Sequence, residues 1–104
     1  EVDEFELAGL TPLASDLIAA PRVGESPVGF ECKVTQIVRL VDAAGQPTVS
    51  RMVFGEVVKI HIRRDLLEDG VYQTAKAAPF LRGGGPADYF RILPENRFRM
   101  VRPG

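Results

Sequence analysis

The sequence predicts a mainly β chain with short flanking helices, built as part of a small barrel that is incomplete by itself. Three observations predict it. Val28, Phe30, Cys32 and Val34 alternate with Gly29, Glu31, Lys33 and Thr35, which is the two-residue period of a half-buried strand. A second strand-like run, Thr48 to Ile62, follows the turn-forming stretch Asp42-Ala43-Ala44-Gly45-Gln46-Pro47. Two long strands joined this way make a hairpin, and a long bent hairpin is how small barrels close. Little else is present to cover its edges, so partner strands are expected to complete it.

The elements follow in order. Asp3 to Ala8 is helix-compatible, with Gly9 as its stop. Thr11-Pro12 has the form of a helix start, and Leu13, Leu17 and Ile18 would share one face of a helix from Pro12 to Ile18, ended by Pro21. Val28 to Val41 is the first long strand, losing its alternation beyond Ile37. Gly55 interrupts the second long strand, which points to a bulge or a close backbone approach. Arg63 to Gly70 reads as a polar turn or one helical turn. Thr74 to Phe80 is a short helix candidate, Leu81 to Pro86 a flexible loop and Asp88 to Leu93 a short strand. Pro94 to Gly104 is a basic tail.

The 104 residues suffice for one small domain and not two. Thirteen Lys and Arg against fourteen Asp and Glu give a net charge of −1, so no global field draws the chain to nucleic acid or to an anionic membrane. No apolar run approaches the roughly 18–20 residues of a membrane span, and no signal peptide opens the chain. A cytoplasmic setting is expected. One cysteine excludes an internal disulfide and a cysteine-cluster metal site.

Cys32 is expected to be a small buried residue on the apolar face. His61, the one histidine, stands on the polar face between Ile60 and Ile62, where it is a rim residue or a group at the mouth of a site. One histidine without paired ligands does not build a metal site. Glu31 and Glu56 are expected to face solvent beside Lys33 and Lys59. Arg82-Gly83-Gly84-Gly85-Pro86-Ala87-Asp88-Tyr89 is the most function-like segment. Its glycines admit a planar ligand, its arginine offers charge, and its tyrosine a ring face. It is neither a phosphate-binding P-loop nor a dinucleotide-binding fingerprint. The Arg91, Arg97, Arg99 and Arg102 tail with Phe90 and Phe98 is balanced by the acidic start of the chain, which argues against nucleic acid.

Several pieces together resemble one family. They are Val2-Asp3-Glu4-Phe5 with Ala8-Gly9-Leu10-Thr11-Pro12, Pro21-Arg22-Val23 with Glu25-Ser26-Pro27-Val28, Phe30-Glu31-Cys32-Lys33, Gly55-Glu56-Val57-Val58-Lys59-Ile60-His61, and Arg82 with Gly84-Gly85 and Tyr89. In this order they resemble the second half of flavin reductase-like, FMN-binding split-barrel domains, which implies that residues 1–104 are the C-terminal part of one such domain. The resemblance implies a split β-barrel, FMN as cofactor, NAD(P)H as co-substrate, a homodimer, and reduced flavin passed to a partner monooxygenase. It also implies that the family's flavin phosphate contacts lie in a half not contained in this chain. Arg82, Gly84, Gly85 and Tyr89 would contact the flavin or nicotinamide edge, with Ser26 and His61 as further contacts. Gly83 departs from the family pattern, as does Pro86-Ala87-Asp88 before Tyr89. The rival reading is a non-catalytic barrel-like module that binds a ligand or protein. A third is a fragment held together by strand-edge association.

Overall fold

A computed structural model describes residues 2–104. The chain divides into two compact units, 1–61 and 62–104. Strands dominate, in four two-stranded sheets, and no closed barrel forms among the described residues.

The first unit opens with helix α1, Glu4–Ala8. Asp3 caps it, its Oδ1 accepting from the N–H groups of Phe5 at 3.0 Å and Glu6 at 3.4 Å. Gly9 ends it at φ +69°, a left-handed conformation that glycine adopts without a side-chain penalty.

The expected helix from Pro12 to Ile18 does not form. Pro12–Leu13 is instead a short strand, β1, paired antiparallel with β2, Arg22–Val23. Thr11 accepts from the Gly24 N–H at 2.7 Å and donates its own N–H to both carboxylate oxygens of Glu25 at 2.7 and 3.1 Å. The Thr11 N–H bond holds the Glu25 carboxyl below its ordinary pKa. A Cβ on Gly24 would lie 3.0 Å from the Thr11 carbonyl oxygen, so the close approach of these two segments favours glycine there. The Asp16 and Leu17 N–H groups, which a helix would turn to its own carbonyls, point to a glutamate far along the chain.

Strand β3, Val28–Val41, and strand β4, Pro47–Ile62, form the hairpin expected from the alternation. Its turn is built by Asp42, whose Oδ1 accepts from the N–H groups of Ala44 and Gln46, both at 2.9 Å. Gly45 closes the turn at φ +81°, with nothing within 4 Å of a Cβ placed there. Gly45→Ala should therefore cost backbone strain alone, about 1–2 kcal/mol by urea denaturation. Gly55 fits the close-approach reading: a Cβ there would sit 3.3 Å from the Cys32 Cβ.

The second unit begins with a 3-10 turn at Arg64–Leu66. Short strands β5, Leu67–Glu68, and β6, Val71–Tyr72, pair antiparallel. Helix α2 spans Thr74–Ala77. Strands β7, Phe80–Arg82, and β8, Tyr89–Arg91, make a second hairpin around residues 83–88, and a 3-10 turn at Pro94–Asn96 precedes an irregular tail. The strand thus claims Leu81 and Arg82, which composition assigned to the loop.

The core is very small. Leu66 is the one fully buried large apolar residue among those described, and Glu31 the one fully buried charged residue. The accessible surface is 9176 Å², whereas a folded monomer of 11.4 kDa exposes about 5,800 Å². Phe30, Val34, Ile37, Val49 and Val53 of the long hairpin are all more than half exposed. The apolar alternation that predicts a buried face is present, but no described residue covers that face.

Candidate functional site

Two constellations carry chemistry, one in each unit. The first is centred on Glu31, which sequence reasoning placed in solvent. Its carboxylate is instead fully buried because three donors converge on it. Oε2 accepts from the Asp16 N–H at 2.9 Å and lies 2.6 Å from His61 Nε2, while Oε1 accepts from the Leu17 N–H at 2.6 Å. Burial alone would raise the carboxyl's pKa. The Asp16 N–H, the His61 ring and the Leu17 N–H outweigh it and hold the group at about 2. Glu31 is therefore a carboxylate at neutral pH, clamping the loop between β1 and β2 onto the long hairpin. That loop is also closed by the Ser15 hydroxyl, which donates to the Ala20 carbonyl at 2.6 Å.

Lys59 does not pair with a glutamate on the hairpin. Its Nζ lies 2.5 Å from Asp16 Oδ2. The hydrogen bond and charge of Lys59 lower the Asp16 pKa, and the bond to Asp16 raises that of Lys59 against the pull of burial and of the nearby Arg22 charge. Lys59 and His61, two residues apart on β4, share a face: Lys59 pins the loop at Asp16, and His61 holds the Glu31 carboxylate that takes the Asp16 and Leu17 N–H groups.

Asp16, Glu31 and His61 present three ligand-type atoms within 4.8 Å of one another. Sequence reasoning missed this grouping, since Asp16 lies in a loop read as helix. The grouping is built as an ion-pair network. Lys59 occupies the Asp16 carboxylate, and Glu31 Oε2 already faces two donors, so a cation would compete with all of them.

Cys32 is exposed, not buried. It points to the face of β3 opposite Glu31, and Gly55 beside it has no side chain to cover it. Its separation from His61 across the strand removes a Cys–His pair. Ser26 donates its hydroxyl to the Val28 carbonyl at 2.6 Å.

The second constellation is the β7–β8 hairpin. The Arg82 guanidinium turns back onto its own loop, Nη1 donating to the carbonyls of Gly84 and, at 3.0 Å, Asp88, and Nη2 to the Gly85 carbonyl at 2.6 Å. Gly84 and Gly85 adopt φ +89° and +59°, which directs their carbonyls inward. The loop is closed further by the Gly83 N–H to the Asp88 carbonyl at 2.8 Å. Arg82 Cζ also sits 5.3 Å from the centre of the Tyr89 ring, and Phe80 meets Tyr89 edge-on at 6.4 Å. Phe80, Tyr89 and Phe90 remain more than half exposed and, with Arg91, line a shallow apolar shelf. Arg82, Gly84, Gly85 and Tyr89 are thus brought together in one unit, while Ser26 and His61 belong to the other.

No family model matches the chain. An uncharacterised protein of Aquifex aeolicus is 37% identical over 86 residues, and one of Halalkalibacterium halodurans 33% over 85. Each match takes 82% of this chain and 40% of the relative, so the chain spans well under half the length of the curated relatives it matches. Among solved structures, component B of nitrilotriacetate monooxygenase from Bacillus cereus superposes with TM-score 0.80 at 29% identity, over 93% of this chain and 46% of that one. The 2-nitrobenzoate 2-nitroreductase of Pseudomonas fluorescens gives 0.74 at 30% identity, over 99% and 49%. A Shewanella frigidimarina protein with a split barrel domain of the flavin reductase kind gives 0.68 at 22% identity, over 100% and 50%, a likeness of fold alone. The chain thus shares its fold with about half of each of these solved proteins, and that fold is a split barrel.

Proposed function

We propose that the protein containing this chain is an FMN-binding oxidoreductase that works as an NAD(P)H:flavin reductase. The observation that carries the reading is the superposition on component B of a monooxygenase, at TM-score 0.80 over 93% of the chain. That component's name also supports a partner monooxygenase as the recipient of reduced flavin. A homodimer in the cytoplasm completes the proposal. No helix among the described residues is long and apolar enough to cross a membrane.

The residues present fit a planar cofactor at one edge. The exposed Tyr89 ring, flanked by Phe80, offers a stacking face to an isoalloxazine or nicotinamide ring. Arg82 lends that face positive charge from 5.3 Å. The Gly84 and Gly85 carbonyls accept from Arg82, so that guanidinium is engaged by its own loop. The family resemblance puts the flavin phosphate contacts in the part of the protein outside this chain. When bound, the flavin supplies hydride acceptance and electron transfer. The chain's part is to orient the ring edge, with Gly84 and Gly85 allowing close approach and Ser26 and His61 as further contacts on the first unit.

An absorbance scan of the purified full-length protein, from about 300 to 550 nm, tests this. The twin bands of oxidised flavin, bleaching on NADH or NADPH, are expected. A colourless protein that takes up no added FMN would replace the enzyme by a non-catalytic binding module.

A further inference from the structure

We propose that Arg22 and the shelf beside it bind an oxyanion, a phosphate or carboxylate group, carried on a ligand whose body rests against Phe30. Arg22 stands on β2, half-buried, and its Nε has neither solvent contact nor a hydrogen-bond partner. A buried N–H left unpaired on a cation is costly, so such a group is normally matched by an anion.

The neighbouring anions are already committed. Asp16 pairs with Lys59 at 2.5 Å, and Glu31 is saturated by His61 and the N–H groups of Asp16 and Leu17. Both carboxylates thus already hold their partners, and neither of them bonds Arg22. No side-chain hydrogen bond or ion pair of Arg22 forms among the described residues.

The surroundings suit a ligand. Arg22 opens onto a concave surface shared with Ser26, Val28, Gly29 and Phe30. Gly29 leaves the floor clear, since a Cβ there would meet only the His61 Cβ at 4.0 Å. Phe30 is 59% exposed and supplies an apolar wall. The planar guanidinium fork matches two oxygens of a phosphate or carboxylate at once, which a lysine does not. The Ser26 hydroxyl is turned to Val28, so arginine is the principal donor.

The test titrates the full-length protein, without flavin, with inorganic phosphate and separately with benzoate, at ionic strength held constant with chloride. The readout is the arginine Nε–Hε resonances. One peak, identified by its absence in Arg22→Lys, is expected to shift saturably at millimolar ligand, while the other arginines stay put. If both probes act, the tighter identifies the preferred group. Arg22→Lys should raise the apparent Kd for that probe roughly tenfold, read from a backbone amide of Gly29 or Phe30. No saturable shift with either probe, or a parallel drift of every arginine peak, would overturn the proposal. The flavin reading is decided separately by absorbance, so either can fail alone.

Discussion

Glu31→Gln is expected to lower the melting temperature at neutral pH by on the order of 10 °C, and Glu31→Ala by more. The native carboxylate presents only acceptors to three donors: the N–H groups of Asp16 and Leu17, and His61. An amide in its place turns an NH₂ group toward at least one of them, so one buried bond becomes donor against donor. Alanine leaves all three without a partner and opens a void besides. The loop between β1 and β2 has little else to hold it, apart from the partly exposed Asp16–Lys59 pair and the Ser15–Ala20 bond.

The acid limb gives this prediction a signature that a packing defect lacks. The ordinary glutamate pKa is 4.5 and the folded value about 2. The depressed value means that the carboxylate's contribution is fully present above about pH 4.5 and is lost as pH falls toward about 2. The gap in melting temperature between wild type and Glu31→Gln should therefore narrow across that window. Asp16, His61, Lys59 and Arg22 lie in the same cluster, and His61→Ala should reproduce only part of the loss, since the two N–H bonds survive it. Thermal denaturation followed by circular dichroism between pH 2 and 7 measures the gap. Equal melting temperatures at pH 7 would show that the buried carboxylate does not hold the loop.

How much of this was legible in the sequence depended on how far each device reaches. Helix α1 is written within seven residues by the Asp3 cap and Gly9 stop. The long hairpin is written by alternation and by Asp42 and Gly45 at its turn. The Arg82–Tyr89 loop is likewise local, with all three guanidinium bonds falling within six positions. The Glu31 cluster joins residues 14, 15 and 30 positions apart, and no local pattern encodes that. Its formation also explains the failed helix. Leu13, Leu17 and Ile18 have helical spacing, but the Asp16 and Leu17 N–H groups find a buried carboxylate in place of carbonyls one turn back. Cys32 failed for the opposite reason: the alternation assigns it a buried face, but no described residue covers that face.

Arg82→Ala in the full-length protein is expected to reduce kcat/KM for NAD(P)H-dependent flavin reduction by roughly a hundredfold, with little change in melting temperature. The side chain is exposed, so its loss costs the fold little. Its three carbonyl partners, however, set the shape of the loop that carries Tyr89, and its charge lies over that ring. Arg82→Lys separates the two roles. Lysine keeps the charge but cannot reach Gly84, Gly85 and Asp88 together with one planar fork. If loop shape governs the rate, the lysine variant stays near the alanine one. Recovery to wild-type rate would assign the effect to charge beside the ring. Tyr89→Phe then reads the stacking face alone and should keep most of the activity, whereas Tyr89→Leu should lose it. Wild-type kinetics in both Arg82→Ala and Tyr89→Leu would remove the β7–β8 hairpin from the reaction and leave the residues of the first unit as this chain's contribution to the site.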